Sequence, residues 1–264
     1  MNNFIKTLFK KQPAEVIDGD YYFHADSHGD RFDESDADMW LNKGIFESKW
    51  SAGDELFTFF RNDICRAFSN NPAPFLEIAC GPGMGLTPVI LSQNPDIPVI
   101  AADASSMLIK ALREFINKNL RKYDISLASF NIMDMPFYDE SFDVVTSFLG
   151  IGSTRAGEKG RTAALNEVYR VLKKDGCFIA VENKWTDFSR VKKVFDLWGQ
   201  PVWNNIQESW TELFTNCGFT VEQRGKPFQR TLDKDDNELG MQADKFGIDI
   251  GVEYNLYVLR KCRK

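Results

Sequence analysis

Three acids and a run of glycines fall at spacings suited to a nucleoside site. Glu77 stands just before Gly81-Pro82-Gly83-Met84-Gly85. Asp103 follows this run by about the 20 residues expected of a ribose-binding carboxylate, and Asp134 sits in Asn131–Pro136 (NIMDMP). Glycines at a strand-to-helix junction let a ligand approach the backbone and permit positive φ. The loop lacks the Lys-Ser/Thr ending that nucleoside triphosphate hydrolysis uses. Leu86 stands where the dinucleotide fingerprint G-x-G-x-x-G/A needs a small residue. A carboxylate such as Glu77 is a poor neighbour for a pyrophosphate and a good one for a cation. Asp103 is placed to hold ribose hydroxyls, with a helix N-terminal acid as its plainer reading. Asp134 could accept from the exocyclic amine of adenine, with Met133 or Met135 packed on the ring. Its plainer reading is a turn acid before Pro136.

These residues need elements to hold them. Phe75–Cys80 reads as a buried strand running into the glycines, and Leu86–Ser92 as a short helix. Val99–Asp103 is a second strand. Ser105 caps a helix to about Arg121, with Met107, Leu108, Leu112, Phe115, Ile116 and Leu120 inward. Ile125–Phe130 and Phe142–Leu149 are further strands, Thr162–Leu172 is a helix broken by Lys173–Gly176, and Cys177–Val181 is a fifth strand. Glu208–Asn216 reads as a helix, Phe219–Gln223 as a strand, and Val252–Leu259 as a final strand that can lie antiparallel. This alternation predicts an α/β class fold: a doubly wound, mostly parallel, seven-stranded sheet with its last strand antiparallel. Ligands in such sheets sit beyond the carboxyl ends of the strands.

Residues 1–70 read as an N-terminal helical or lid segment. Within it a helix begins at Ser51, with Leu56, Phe60, Ile64 and Phe68 at helical spacing. Residues 71–264 form the binding domain, with a cap insertion around 183–204 and a long polar connection over 226–250. The aromatic block Trp185, Phe188, Phe195, Trp198 and Trp203 suits either an acceptor pocket or ordinary core packing.

The 264 residues carry a formal net charge of −6, which disfavours nucleic acid as a substrate, and the basic clusters at the two termini read as solvated tails. Five scattered cysteines form neither a disulfide framework nor a zinc site. No apolar run suits a signal peptide or a membrane span, so a cytoplasmic setting is the expectation. His24 and His28, with Asp26 and Asp30, make a weak metal pattern that reads better as a surface or lid segment, so no metal is expected.

Taken together, LEIACGPG, AADASSMLI, NIMDMPFYDESFDVV and LNEVYRVLKKDGCFIAVE resemble, in order, the motifs of class I S-adenosylmethionine-dependent methyltransferases. The likeness is to the small-molecule branch that includes ubiquinone-biosynthesis C-methyltransferases, over roughly residues 73–182. Ala79 departs from the family by standing where the loop's first glycine is commonest. The resemblance implies S-adenosyl-L-methionine as cofactor, held by Glu77, Ala79, Gly81, Pro82, Gly83, Asp103, Ala104, Met107, Asp134 and Met135. It also implies Phe148 and Leu149 along the methionyl end and transfer path.

The implied reaction is in-line displacement of an electrophilic methyl onto a small, apolar or aromatic acceptor. It needs placement and water exclusion, and a base only for protonated nucleophiles. No catalytic residue is thereby fixed. A binding protein without turnover and an NAD(P)-dependent oxidoreductase are the competing readings.

Overall fold

The computed structural model describes residues 2–23, 37–38, 41–42, 46, 55–68, 74–154, 156–202, 209–236 and 238–261. Its centre is the expected parallel sheet. Strands β3 (Phe75–Ile78), β4 (Val99–Asp103), β5 (Ile125–Ser129), β6 (Phe142–Phe148) and β7 (Leu172–Trp185) lie in the spatial order β5-β4-β3-β6-β7, all parallel. Strand β9 (Gly251–Lys261) then runs antiparallel beside β7, with β8 (Phe219–Thr231) antiparallel outside it.

Among the described residues the sheet has nine strands, not seven. The additional two are a hairpin, β1 (Glu15–Ile17) and β2 (Asp20–Tyr22), whose second strand pairs parallel with β5. Its turn is Asp18-Gly19, both at positive φ (51° and 88°). Such a turn matches the twist of paired strands. Asp20 anchors it: the buried carboxylate accepts from Arg113 Nε at 2.7 Å, from Arg113 Nη2, and from the Leu127 N–H at 3.2 Å.

Helices cover both faces. On one lie α2 (Glu55–Phe68), α3 (Thr87–Gln93), α4 (Ser106–Asn119), α6 (Phe188–Trp198) and α8 (Glu238–Lys245). On the other lie α1 (Asn2–Leu8), α5 (Gly157–Val171) and α7 (Trp210–Asn216). Helix α2 buries Leu56, Phe60, Ile64 and Phe68, the spacing expected of an inward stripe. Ser105 caps α4 by accepting from the Leu108 N–H at 3.1 Å.

Two expectations change. The segment expected as a cap insertion, around 183–204, carries regular structure up to Trp198. Strand β7 continues to Trp185, and α6 follows with Asp187 as its N-cap and Val191, Val194 and Phe195 buried in the core. Residues 226–250 are not one long connection. Strand β8 runs on to Thr231 across a bulge between Arg224 and Phe228, and α8 follows. Pro227 falls in that bulge on an edge strand, where a missing N–H is tolerated. Ser51–Asp54, Trp40, Trp203, Cys262 and both histidines lie outside the described residues.

Candidate functional site

The carboxyl ends of β4, β3 and β6 are neighbours, and the chain leaves each through a tight loop. After β3 the backbone is left-handed at Ala79 (φ 48°), Gly81 (φ 56°), Met84 (φ 55°) and Gly85 (φ 54°). Each reversal is sterically disfavoured for a residue bearing a Cβ. Two glycines here answer different needs. Among the described residues no atom lies within 4 Å of where a Cβ at Gly81 would stand, so none of them covers its outer side. A Cβ at Gly85 would land 1.9 Å from Glu77 Oε1.

Glu77 explains the second case. It is wholly buried, and its Oε2 accepts from Thr146 Oγ1 at 2.6 Å and from the Leu86 N–H at 3.1 Å. The carboxyl therefore holds the loop from beneath and ties β3 to β6. Burial pushes its pKa up to about 8, against the opposing effects of Thr146, the Leu86 amide and Thr87. Among the described residues its buried Oε1 and the nearby Thr87 hydroxyl make no hydrogen bond of normal geometry. Cys80, beside it, is also buried, and burial holds its thiol well above the ordinary value, which makes it a poor nucleophile.

Asp103 closes the second loop onto the first. Its Oδ2 accepts from the Gly81 N–H at 3.0 Å and its Oδ1 from the Ser105 N–H at 3.0 Å. The residue remains half-exposed, as do Ala104 and Met107 in and before the first turn of α4. Ala79, Gly81, Pro82 and Gly83 are half-exposed too, as are Phe148 and Leu149 at the end of β6. Phe148 packs on Phe57 of α2, ring centroids 5.1 Å apart. The strand ends thus present a polar corner at Asp103 and an apolar wall at Phe148 and Phe57. Open backbone at Gly81 lies on the polar side.

Three predicted residues have partners of their own in the structure. Glu77 lies under the loop. Met135 is buried in the core beneath α5, its N–H donating to Glu167 Oε2 at 2.7 Å. Asp134 has a side chain 74% exposed and pairs with Lys11 Nζ at 2.5 Å. Sequence reasoning passed over Asn131 in the same motif. It is the first polar side chain beyond β5, one residue after Phe130, whose N–H donates to the Asp103 carbonyl at 3.1 Å. Its position directly after the strand, not its residue type, was the available signal.

A second buried acid was quoted in the last motif without a role. Glu182, near the end of β7, accepts from the Ile151 N–H at 3.0 Å through Oε1 and from the Gly152 N–H at 3.2 Å through Oε2. Burial raises its pKa to about 8, opposed by those two amides and by Arg161. Among the described residues no group of three or more His, Cys, Asp and Glu could hold a metal ion. Among them, too, no helix is long and apolar enough to cross a membrane.

Residues 76–180 match the protein family described as "Methyltransferase domain". The chain is 39% identical over 108 residues to a demethylmenaquinone methyltransferase of Symbiobacterium thermophilum, covering 40% of this chain and 41% of that protein. It is 30% identical over 167 residues to a ubiquinone/menaquinone biosynthesis C-methyltransferase of Rickettsia typhi, covering 59% and 63%. The matches thus span under two thirds of either relative. The crystal structure of the YcgJ protein from Bacillus subtilis superimposes with a TM-score of 0.59 at 16% identity, over 78% of this chain and 100% of that one. At that identity the likeness shows a shared fold.

Proposed function

We propose, starting from a chain whose residues 76–180 are a class I S-adenosylmethionine-dependent methyltransferase domain, that it moves a methyl group to a small aromatic acceptor of the quinol kind. The observation that carries this reading is the corner formed by Gly81 and Asp103. An open left-handed glycine and a half-exposed carboxylate stand at adjoining strand ends, joined by a hydrogen bond. That corner fits a nucleoside bearing a cationic tail.

When bound, S-adenosylmethionine supplies a methyl group made electrophilic by its sulfonium charge. The chain does the rest. Asp103 offers carboxylate oxygens to ribose hydroxyls, and Asn131, just beyond β5, offers its side-chain amide to the base. Gly81 and Gly83 let the tail lie against backbone. Phe148, Leu149 and Phe57 form the apolar side against which an aromatic acceptor packs, excluding water from the transfer path. Glu77 and Glu182 act through the loops that they hold.

The test is transfer of labelled methyl from S-adenosylmethionine to reduced demethylated quinones, with the product carbon located by mass spectrometry. Ring C-methylation is expected. Calorimetry that shows NAD(P) binding and none of S-adenosylhomocysteine would overturn the reading. Tight binding of S-adenosylhomocysteine without transfer to any quinol or phenol would reduce the chain to a nucleoside-binding protein.

A further inference from the structure

The wall at the end of β6 is held by a group that does not touch the open face. After Phe148 the chain turns through Leu149, a non-glycine residue at φ 58°, and Gly150. Leu149 donates its N–H to the Val181 carbonyl of β7 at 2.8 Å. At Gly150 a Cβ would come within 2.4 Å of Ser147 Oγ and 2.8 Å of the Ala79 Cβ, so this turn is packed directly on the glycine loop. The next two amides, Ile151 and Gly152, both point at the Glu182 carboxylate.

The surroundings of that carboxylate are closed. Glu182 is wholly buried on the face of the sheet opposite to Glu77, since strand alternation sets it against the α7 side. Trp210 of α7 covers Gly152, with a ring carbon 3.4 Å from where a Cβ would stand, and donates Nε1–H to the Asn183 carbonyl at 2.8 Å. Glu182 Oε2 would lie 2.9 Å from that same Cβ. Gly152 is therefore gripped between a carboxylate and an indole. A buried carboxylate is costly unless its hydrogen bonds are made, and here both oxygens meet backbone donors of one turn. Glu182 thus fixes two successive peptide units just beyond the strand end that faces the acceptor.

We propose that Glu182 is a positioning residue for methyl transfer: by holding the amides of Ile151 and Gly152 it sets the Phe148–Leu149 wall against which the acceptor is aligned. This rests on the methyltransferase reading above. Glu182 itself touches neither reactant. The cofactor corner at Gly81 and Asp103 is built from β3 and β4, and the grip reaches it only through the contact of Gly150 with Ala79, so acceptor alignment depends on Glu182 more than donor binding does. Misplacing a reacting group by about 1 Å costs on the order of 100-fold in rate.

The test uses Glu182→Gln in the full chain. The amide nitrogen of glutamine faces an N–H donor where a carboxylate oxygen accepted, so one of the two bonds is lost. Gly152→Ala is the second variant; it keeps Glu182 and crowds the same turn from the other side. In both, kcat is expected to fall by about 10- to 100-fold, while the Kd for S-adenosylhomocysteine stays within about threefold. Hydrogen exchange in Glu182→Gln should quicken at Ile151 and Gly152 and not along β3, β4 or β6. Unchanged exchange at those two amides overturns the proposal, as does unchanged kcat. A loss of S-adenosylhomocysteine affinity equal to the loss in kcat overturns it too, because it would mark a general structural role. A wild-type chain that binds S-adenosylhomocysteine but methylates nothing sinks the functional reading instead. In that case, faster exchange confined to Ile151 and Gly152 upholds the grip and unchanged exchange rejects it.

Discussion

Gly81 donates its backbone N–H to the Asp103 carboxylate at 3.0 Å, so the glycine loop after β3 is fastened to the end of β4 before any ligand arrives. Asp103 then has two tasks: it orders the loop, and as a half-exposed carboxylate it is the proposed partner of the ribose. Asp103→Ala removes both. A hydrogen bond to a charged group contributes about 1.5–3 kcal/mol, so affinity for S-adenosylhomocysteine should fall by about 10- to 100-fold. Asp103→Asn keeps one acceptor and should lose less. Calorimetry checks this, and equal affinity in Asp103→Ala and wild type would remove Asp103 from the site.

Ala79 occupies a left-handed position, φ 48°, where its Cβ is a liability. The left-handed conformation costs a non-glycine residue about 1–2 kcal/mol. Glycine gives back part of that through its freer unfolded chain, about 0.5–1 kcal/mol. Ala79→Gly should therefore be neutral or raise stability by up to about 1 kcal/mol, while Gly150→Ala, which meets Ala79 and Ser147, should destabilise clearly. Urea unfolding of the two variants decides; a marked loss in Ala79→Gly would mean that the methyl group is needed for packing.

The sequence spoke clearly wherever a pattern was long enough to repeat. Ser105 with the apolar stripe behind it, and the five short runs ending at β7, each carried local signals that tertiary packing then reinforced. The hairpin at Asp18-Gly19 was hidden because strands of three residues show no alternation, although an Asp-Gly turn is itself a hairpin signal. What fastens it, Asp20 to Arg113 across 93 residues, has no trace in local sequence. The strand expected to end at Gln223 runs on, because in sequence a bulge on an edge cannot be told from a break. The contact between the glycine loop and Asp103 was legible from type and spacing. The work of Glu77 and Glu182 was not, because holding a loop from beneath depends on which amides the fold brings overhead.

Asn131 and Asp134 separate two readings of one motif. Asp134 is exposed and engaged by Lys11, whereas Asn131 directly follows the residue that bonds to Asp103. Exposed ion pairs contribute little, about 0–1 kcal/mol. Asp134→Ala should leave S-adenosylhomocysteine affinity within about threefold of wild type, and Asn131→Ala should weaken it by about tenfold. The reverse ranking would restore Asp134 as the base-binding acid and place the Lys11 pair as a contact broken on binding.

Glu77 should leave a signature in stability against pH. Its pKa is raised by burial to about 8 from an ordinary value of 4.5, so between those limits the folded chain holds a proton that the unfolded chain has released. Stability from this group is therefore fully present below pH 4.5 and declines as pH rises through about 8, with a slope approaching about 1.4 kcal/mol per pH unit. The proton has a place to sit, since the Thr146 and Leu86 donors both meet Oε2, which leaves Oε1 to carry it. Glutamine mimics that protonated acid, with its carbonyl serving the two donors. Other carboxylates add slopes of the opposite sign, so the informative quantity is the difference between wild type and Glu77→Gln in urea unfolding from pH 5 to about pH 9. Relative to the variant, wild type should lose stability steadily up to about pH 8 and then level off. A difference that is flat, or that grows in favour of wild type with rising pH, would show that the carboxyl is ionised under the loop.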